Sequence, residues 1–293
     1  MEKENLTLGA NETIASLLSR RKKGVKSLVV DLHGRTIQGS DLGLSKLLNL
    51  PGYQLEVCNG ELDLTMCGQE GATKLQRLSL SHMRITVHST RPGATAWYAA
   101  QRACRAQLLG LADPGGLVCS MMAVHCPLAC EHCRLHVVGP PLPWLCPFGL
   151  APGVPMRALH CQFLNLSHPL GSQGPTLLSH CSLELQAVVL QPRFGAAMMS
   201  VHGPGAHLTL ADCQVSVQQY PVGPPAGLQG AVDLAADAGG VPSILHVQGK
   251  GRLEMQGTTF SVQGGPSLAP LNAVSVADGK AQLTQCDLGV TGV

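Results

Sequence analysis

The chain has 293 residues and a mass of 30.6 kDa, with 45% hydrophobic and 13% charged residues. Average domains carry ~25% charged residues, so this balance excludes a disordered chain. A net charge of +2 and a pI near 8.0 exclude a dedicated nucleic-acid binder.

With 34 Gly and 20 Pro, the chain is far richer in breakers than average. A helical bundle tolerates these poorly, whereas short strands joined by turns welcome them. Aromatic residues are only 3%, so the core must be built from Leu, Val, Ala, Met and Cys. Such a core suits many thin, similar layers.

The N-terminus, MEKENLTLGANETIASLL, has acidic residues, no continuous apolar region and no small-residue cleavage site. It predicts no secretory signal, and hence an intracellular protein. No stretch approaches the ~18 apolar residues of a membrane span. The 12 Cys are then expected as free buried thiols rather than disulfides, and the sequons at Asn5, Asn11 and Asn165 have no role. Asn11 is placed to cap a helix from Glu12, with Ile14, Leu17 and Leu18 on one face. Arg20, Arg21, Lys22 and Lys23 would sit in its last turn, and Gly24 would end it. A cap over residues 1–26 follows, and Ser27–Leu32 reads as the first strand.

Beyond it one pattern recurs: apolar-x-apolar-x-x-Cys-x-apolar-x-apolar. Leu208–Val217 around Cys213 and Ala281–Val290 around Cys286 are the clearest copies. Leu128–Val137 around Cys133 fits as well, and Cys161 and Cys181 keep the second half. Met83 and Gly60 replace the cysteine in two copies, and Thr258 or Thr259 in another. The period is about 20–30 residues, within the range of stacked-repeat proteins. The steps from position 83 to 133 and from 213 to 259 are nearly double, as if a degenerate copy lay in each.

Each half of the unit alternates with period two, which predicts two short strands. The two residues between them form a tight corner. The residue before the Cys position is His82, His132, His160, His180, Asp212 or Gln285. Such a corner needs a left-handed backbone, where His and Asp are enriched. A third strand-like piece recurs at Met121–Val124, Met198–Val201, Ala231–Leu234 and Ala273–Val276. The pattern predicts an all-β solenoid, one coil of three strands per repeat, with Cys packing on Cys between coils.

At these corners the sequence resembles the right-handed parallel β-helix proteins of the pectin-lyase-like superfamily, whose coils carry apolar-x-apolar-x-Asn-Cys-x-Phe. The resemblance covers residues 27–293 and implies a parallel β-helix. Irregular insertions fall near 89–118, with Trp97 to Leu111 at helical spacing, and near 139–155, a proline-rich loop.

Candidate chemistry is sparse. Cys126, Cys130 and Cys133, with His125 and His132, have the close spacing of a zinc site. The competing reading puts Cys130 and Cys133 on inward positions of the repeat, so no metal or other cofactor is predicted. His82, His132, His160 and His180 are expected to form an outer ladder set by corner geometry. The resemblance implies enzymes that cleave acidic polysaccharides with clustered carboxylates or an arginine base. No Asp–Asp pair is present, and Asp233, Asp237 and Arg252 are the best residual catalytic trio. Trp97, Tyr98, Trp144 and Tyr220 all lie in irregular segments and would line any ligand groove. The expected function is a non-catalytic scaffold binding a protein or a polysaccharide, with a lyase or glycoside hydrolase as the alternative. The repeat runs to Val293 without an evident cap, which leaves a C-terminal edge suited to self-association.

Overall fold

The computed structural model describes residues 2–39, 41–65, 72, 74–94, 96, 100, 119–140, 145–167, 170–187, 197–219, 243–264 and 272–292. The described residues form an all-β arrangement of parallel strands, in sheets of 17, four and two strands. Two ladders run through the largest sheet. The first begins with Lys3–Thr7 and Ser27–Asp31 and passes through the starts of Gln54–Asp63 and Arg77–His88. It continues through Leu128–Glu131, Met156–Leu159, Pro175–Ser179, His207–Ala211, Gly251–Gln256 and Gly279–Thr284. The second ladder holds the segments after each corner, from Thr36–Gln38 to Asp287–Gly292.

From Arg77–His88 to Thr259–Gly264 a third set of strands follows the second, whereas the helix Leu42–Leu48 follows Thr36–Gln38. Leu170–Ser172, Ala197–His202, Ser243–Gln248 and Asn272–Val276 form the four-stranded sheet, and Cys119–Val124 pairs with Leu145–Leu150. The chain visits first, second and third ladder in that order, and each return adds one parallel strand beside the last. Side chains alternate, as at Gly251–Gln256, where Gly251, Leu253 and Met255 are buried between exposed or half-buried neighbours. The buried residues of all three ladders form one contiguous core. That core is nearly all Leu, Val, Met, Ala and Cys, with Phe163 and Phe260 the largest fully buried side chains.

The corners follow the expected rule. His82, His132, His160, His180, Asp212 and Gln285 have φ between 51° and 53°, in the left-handed region. Asn59 and Gly257 do the same job at φ 56° and 58°. Gly257 as the corner makes Thr258, fully buried, the inward residue of that repeat, and Thr259 the first residue of the following strand.

Several expectations are corrected. The N-cap is Thr13, whose Oγ1 accepts from Ser16 N at 3.2 Å, and the helix spans only Ile14–Ser19. Glu12 instead accepts from Gly9 N and pairs with Arg20 at 2.8 Å. The basic run therefore follows the helix rather than closing it. Arg20 is the C-cap residue, and Arg21 lies over the Tyr53 ring, 4.9 Å from its centroid. The first strand is Lys3–Thr7, in register with Ser27–Asp31, so the ladder begins inside the segment read as a cap. Glu4 hid it: this acid occupies an inward position, where its carboxylate accepts from Lys22 N at 3.0 Å. A second helix, Leu42–Leu48, is capped by Asp41.

The long spacings hold no degenerate copies. Leu78 pairs directly with Leu128, and Leu208 with Leu253. The extra residues fall between second and third strands, where the chain can lengthen without breaking a ladder. In the proline-rich segment, Leu145–Leu150 is a strand paired with Cys119–Val124, and Pro147 is the position left out of the register. The third strand after Gln214–Gln219 is Ser243–Gln248, while Ala231–Leu234 lies outside the described residues. Most of the helix expected over Thr95–Leu111 also lies outside them.

Candidate functional site

The corners build two parallel rows from one backbone rule. Outside, the imidazoles of His82, His132, His160 and His180 stack with centroids 4.9, 4.9 and 5.0 Å apart and planes within 9°. One left-handed residue per repeat, with the same rotamer and a strand spacing of about 4.8 Å, yields that stack. It does not favour shared metal ligation. Two nitrogens on one zinc lie within about 4.2 Å of each other, since each Zn–N bond is about 2.1 Å.

Inside, Cys133, Cys161, Cys181 and Cys213 form the companion row. The thiols of Cys181 and Cys213 each donate to two carbonyls: one two residues back (Ser179, Ala211) and one in the preceding repeat (Ala158, Leu178). Thr258 makes the same pair of bonds through its hydroxyl, to Gln256 O at 3.2 Å and Leu210 O at 3.3 Å. In these repeats a small side chain with a donor fills the position, as Cys or Thr, whereas Met83 and Gly60 fill it without one. Hydrogen bonds from neighbouring thiols, followed by burial, push the Cys161 and Cys213 thiols up. Shared hydrogen bonds with Cys130 and Cys161 draw the Cys133 thiol down.

The three cysteines with zinc-like spacing fall within this core. Cys126, Cys130 and Cys133 are 1–2% exposed, whereas His125 and His132 are on the surface. Thiols inside and imidazoles outside do not converge. Among the described residues no group of three or more His, Cys, Asp or Glu side chains is arranged to hold a metal ion. The nine cysteines whose side chains are described are free. Burial raises the Cys146 thiol to about 11 and the Cys58 thiol to about 11, the latter aided by Asp31 and Glu56. Thiolate, the reactive form, is then scarce at neutral pH. In native protein treated with a thiol reagent at pH 7.5, Cys286 is expected to label before the eight buried thiols, Cys146 among the last. Peptide mapping by mass spectrometry reads the order.

Trp97, Tyr98, Trp144, Tyr220, Asp233 and Asp237 lie outside the described residues. Arg252 is described. It stands on the outer side of the first ladder, in register with His207 and Lys280, and its guanidinium pairs with Glu254. His207 Nε2 approaches the other oxygen of Glu254 at 3.3 Å, and Thr209 Oγ1 lies 3.4 Å from the same nitrogen. This outward group of a carboxylate, an imidazole and a guanidinium was not legible in the sequence, because His207 and Glu254 meet only through register.

On the same ladder, a cleft of about 380 Å³ is lined by Gln54, Gln76, Arg77, Ala129, Met156 and Arg157, among others. Its cause is local. Arg77 and Arg157 flank the repeat that carries Pro127 and Ala129, two side chains too short to fill the space between arginines. Both arginines are exposed, and among the described residues neither has an ion pair. The second ladder presents Arg84 directly opposite Arg134, with Glu61 4.0 Å from Arg84. Next to them burial, followed by Arg134, holds the His136 imidazole below its ordinary value.

Among the described residues no helix is long and apolar enough to cross a membrane. No family model, curated protein or solved structure matches the chain.

Proposed function

We propose that the chain is a right-handed parallel β-helix of the pectin-lyase-like type, acting as a non-catalytic scaffold that binds a protein or polymer ligand on its outer faces. The parallel ladders, each gaining one strand per repeat, and the single continuous core support the fold. The observation that carries the function is the run of outward polar residues kept in register along the second ladder. Gln162, Ser182, Gln214 and Thr259 form one line, and Gln186, Gln218 and Gln263 another. Such lines repeat at strand spacing and offer an extended ligand many equivalent, weak hydrogen bonds. The buried free thiols suit a reducing, intracellular compartment.

The alternative is a polysaccharide lyase or glycoside hydrolase. His207, Glu254 and Arg252 favour it, since they join a carboxylate to two basic groups on an open face. Exposed ion pairs of this kind also arise with no role beyond solvation. The two readings separate in one experiment. The purified protein is incubated with a panel of neutral and acidic polysaccharides, and new reducing ends, unsaturated products and retention on immobilised polymer are followed. The expected outcome is no cleavage on any polymer. Cleavage that is lost in Glu254→Gln or Asp233→Ala would overturn the scaffold reading.

A further inference from the structure

We infer that the cleft between Arg77 and Arg157 is an anion subsite that takes a carboxylate side chain of an extended acidic peptide; the assignment rests on the binding-scaffold reading. The two guanidiniums come from strands two ladder steps apart, with Arg77 level with Pro127 and Arg157 level with Ala129, so their backbones are roughly 12 Å apart. Long side chains can converge from that distance on one group. Among the described lining residues no carboxylate neutralises them, and Gln54 and Gln76 add amides, joined by a 3.4 Å hydrogen bond. A planar guanidinium matches a carboxylate with two parallel hydrogen bonds.

The walls are fixed before any ligand arrives. Leu78 N donates to Pro127 O and Leu128 N to Pro155 O, each at 3.0 Å, and Gln76 N donates to Tyr53 O at 2.8 Å. Both prolines line the cleft, and Met156 and Leu128 form its buried apolar floor. That floor suits the methylenes of a glutamate side chain. Phosphate sites typically use a helix N-terminus or a nest of free backbone N–H groups. This cleft is built instead on ladder strands, whose N–H groups are taken, and side chains supply its donors. The open ends of the cleft let a peptide backbone continue along the sheet face, with the glutamine amides within reach of it.

The test is fluorescence anisotropy of a labelled hexaglutamate peptide at low and physiological ionic strength. Saturable binding is expected to weaken with salt, as exposed charge pairing does. Arg77→Gln and Arg157→Gln should each lower affinity about tenfold, the loss expected for a hydrogen bond to a charged group. The double variant should abolish binding, and Arg77→Lys with Arg157→Lys should retain part of it. Ala129→Glu, which places a carboxylate in the cleft, should also abolish binding, and Lys46→Gln, which removes one charge from the second helix, should not. Circular dichroism on every variant shows whether it is folded.

Failure of hexaglutamate to bind the wild type, or equal binding to wild type and double variant, would overturn the assignment. So would displacement of the peptide by inorganic phosphate or by polygalacturonate at lower concentration than by free hexaglutamate, which would give the cleft to a different anion. A ligand that binds wild type and double variant alike overturns the cleft alone and leaves the scaffold reading intact. Absence of binding to every polymer and peptide removes both.

Discussion

Replacing His82, His132, His160 and His180 together by valine is expected to destabilise the protein severely, whereas replacing all four by asparagine is expected to be mild. All four residues hold φ of 51–52°. A left-handed L-residue costs about 1–2 kcal/mol, and a β-branched side chain is the poorest occupant of that region. Histidine already bears that cost, so each change adds only the excess that β-branching brings, and four such excesses accumulate against a typical total of about 5–15 kcal/mol. Asparagine accepts the same backbone, so its variant loses only the three ring stacks, each of order 0.5 kcal/mol at an exposed site. Urea denaturation followed by circular dichroism compares the two. Equal, large losses in both variants would mean that ring stacking, not backbone conformation, selects histidine. A stable asparagine variant that no longer binds a ligand held by wild type would instead give the imidazole row a functional role.

This same corner explains why so much of the fold could be read from the sequence. A left-handed residue followed by a small inward donor is a local requirement, and it leaves a local mark, His-Cys or Asp-Cys, flanked by period-two strands. Where another residue meets the requirement, the mark fades. Gly257 with Thr258 performs the corner and donor roles of Asp212 with Cys213, yet reads as part of a Gly-Thr-Thr run. Lys3–Thr7 was hidden because Glu4 takes an inward position, and only the structure shows Lys22 N satisfying it. The segment Ser243–Gln248 lacks a corner and so carries no mark beyond its apolar residues.

The candidate sites were much less legible, for a reason of the same kind. Arg77 and Arg157 are 80 positions apart, and only the pairing of both strands with Leu128–Glu131 makes them neighbours. His207 and Glu254 meet through register in the same way. A surface site on stacked strands depends on which repeats are adjacent, and unequal repeat lengths conceal adjacency. The cysteines were more legible, because the repeat itself offered an inward reading of Cys130 and Cys133 beside the zinc one, and both are buried, with Cys126, while His132 is outside.

One register row of the first ladder allows a direct test of how the stack ends. Leu178, Leu210, Met255 and Leu283 occupy successive inward positions. Leu210 is fully buried, whereas Leu283 is 42% exposed and Leu288, in the same last repeat, 53%. Truncating Leu210 to alanine leaves a cavity walled on both sides by packed repeats, and should cost about 2–5 kcal/mol. Truncating Leu283 removes a side chain with core on one side only, and should cost less than about 1 kcal/mol. In a stack whose repeats touch only their neighbours, the final repeat can fray without unfolding the rest. Leu283→Ala should therefore lower hydrogen-exchange protection in Gly279–Gly292 while barely moving the global midpoint. A loss as large as that of Leu210→Ala would mean that the last repeat is covered in solution. Among the described residues Gly279–Thr284 and Asp287–Gly292 each have a ladder partner on one side only, so self-association is the case to test. Sedimentation at several concentrations separates the cases: a concentration-dependent dimer that Leu283→Lys dissolves identifies self-association through this edge, and a monomer at every concentration excludes it.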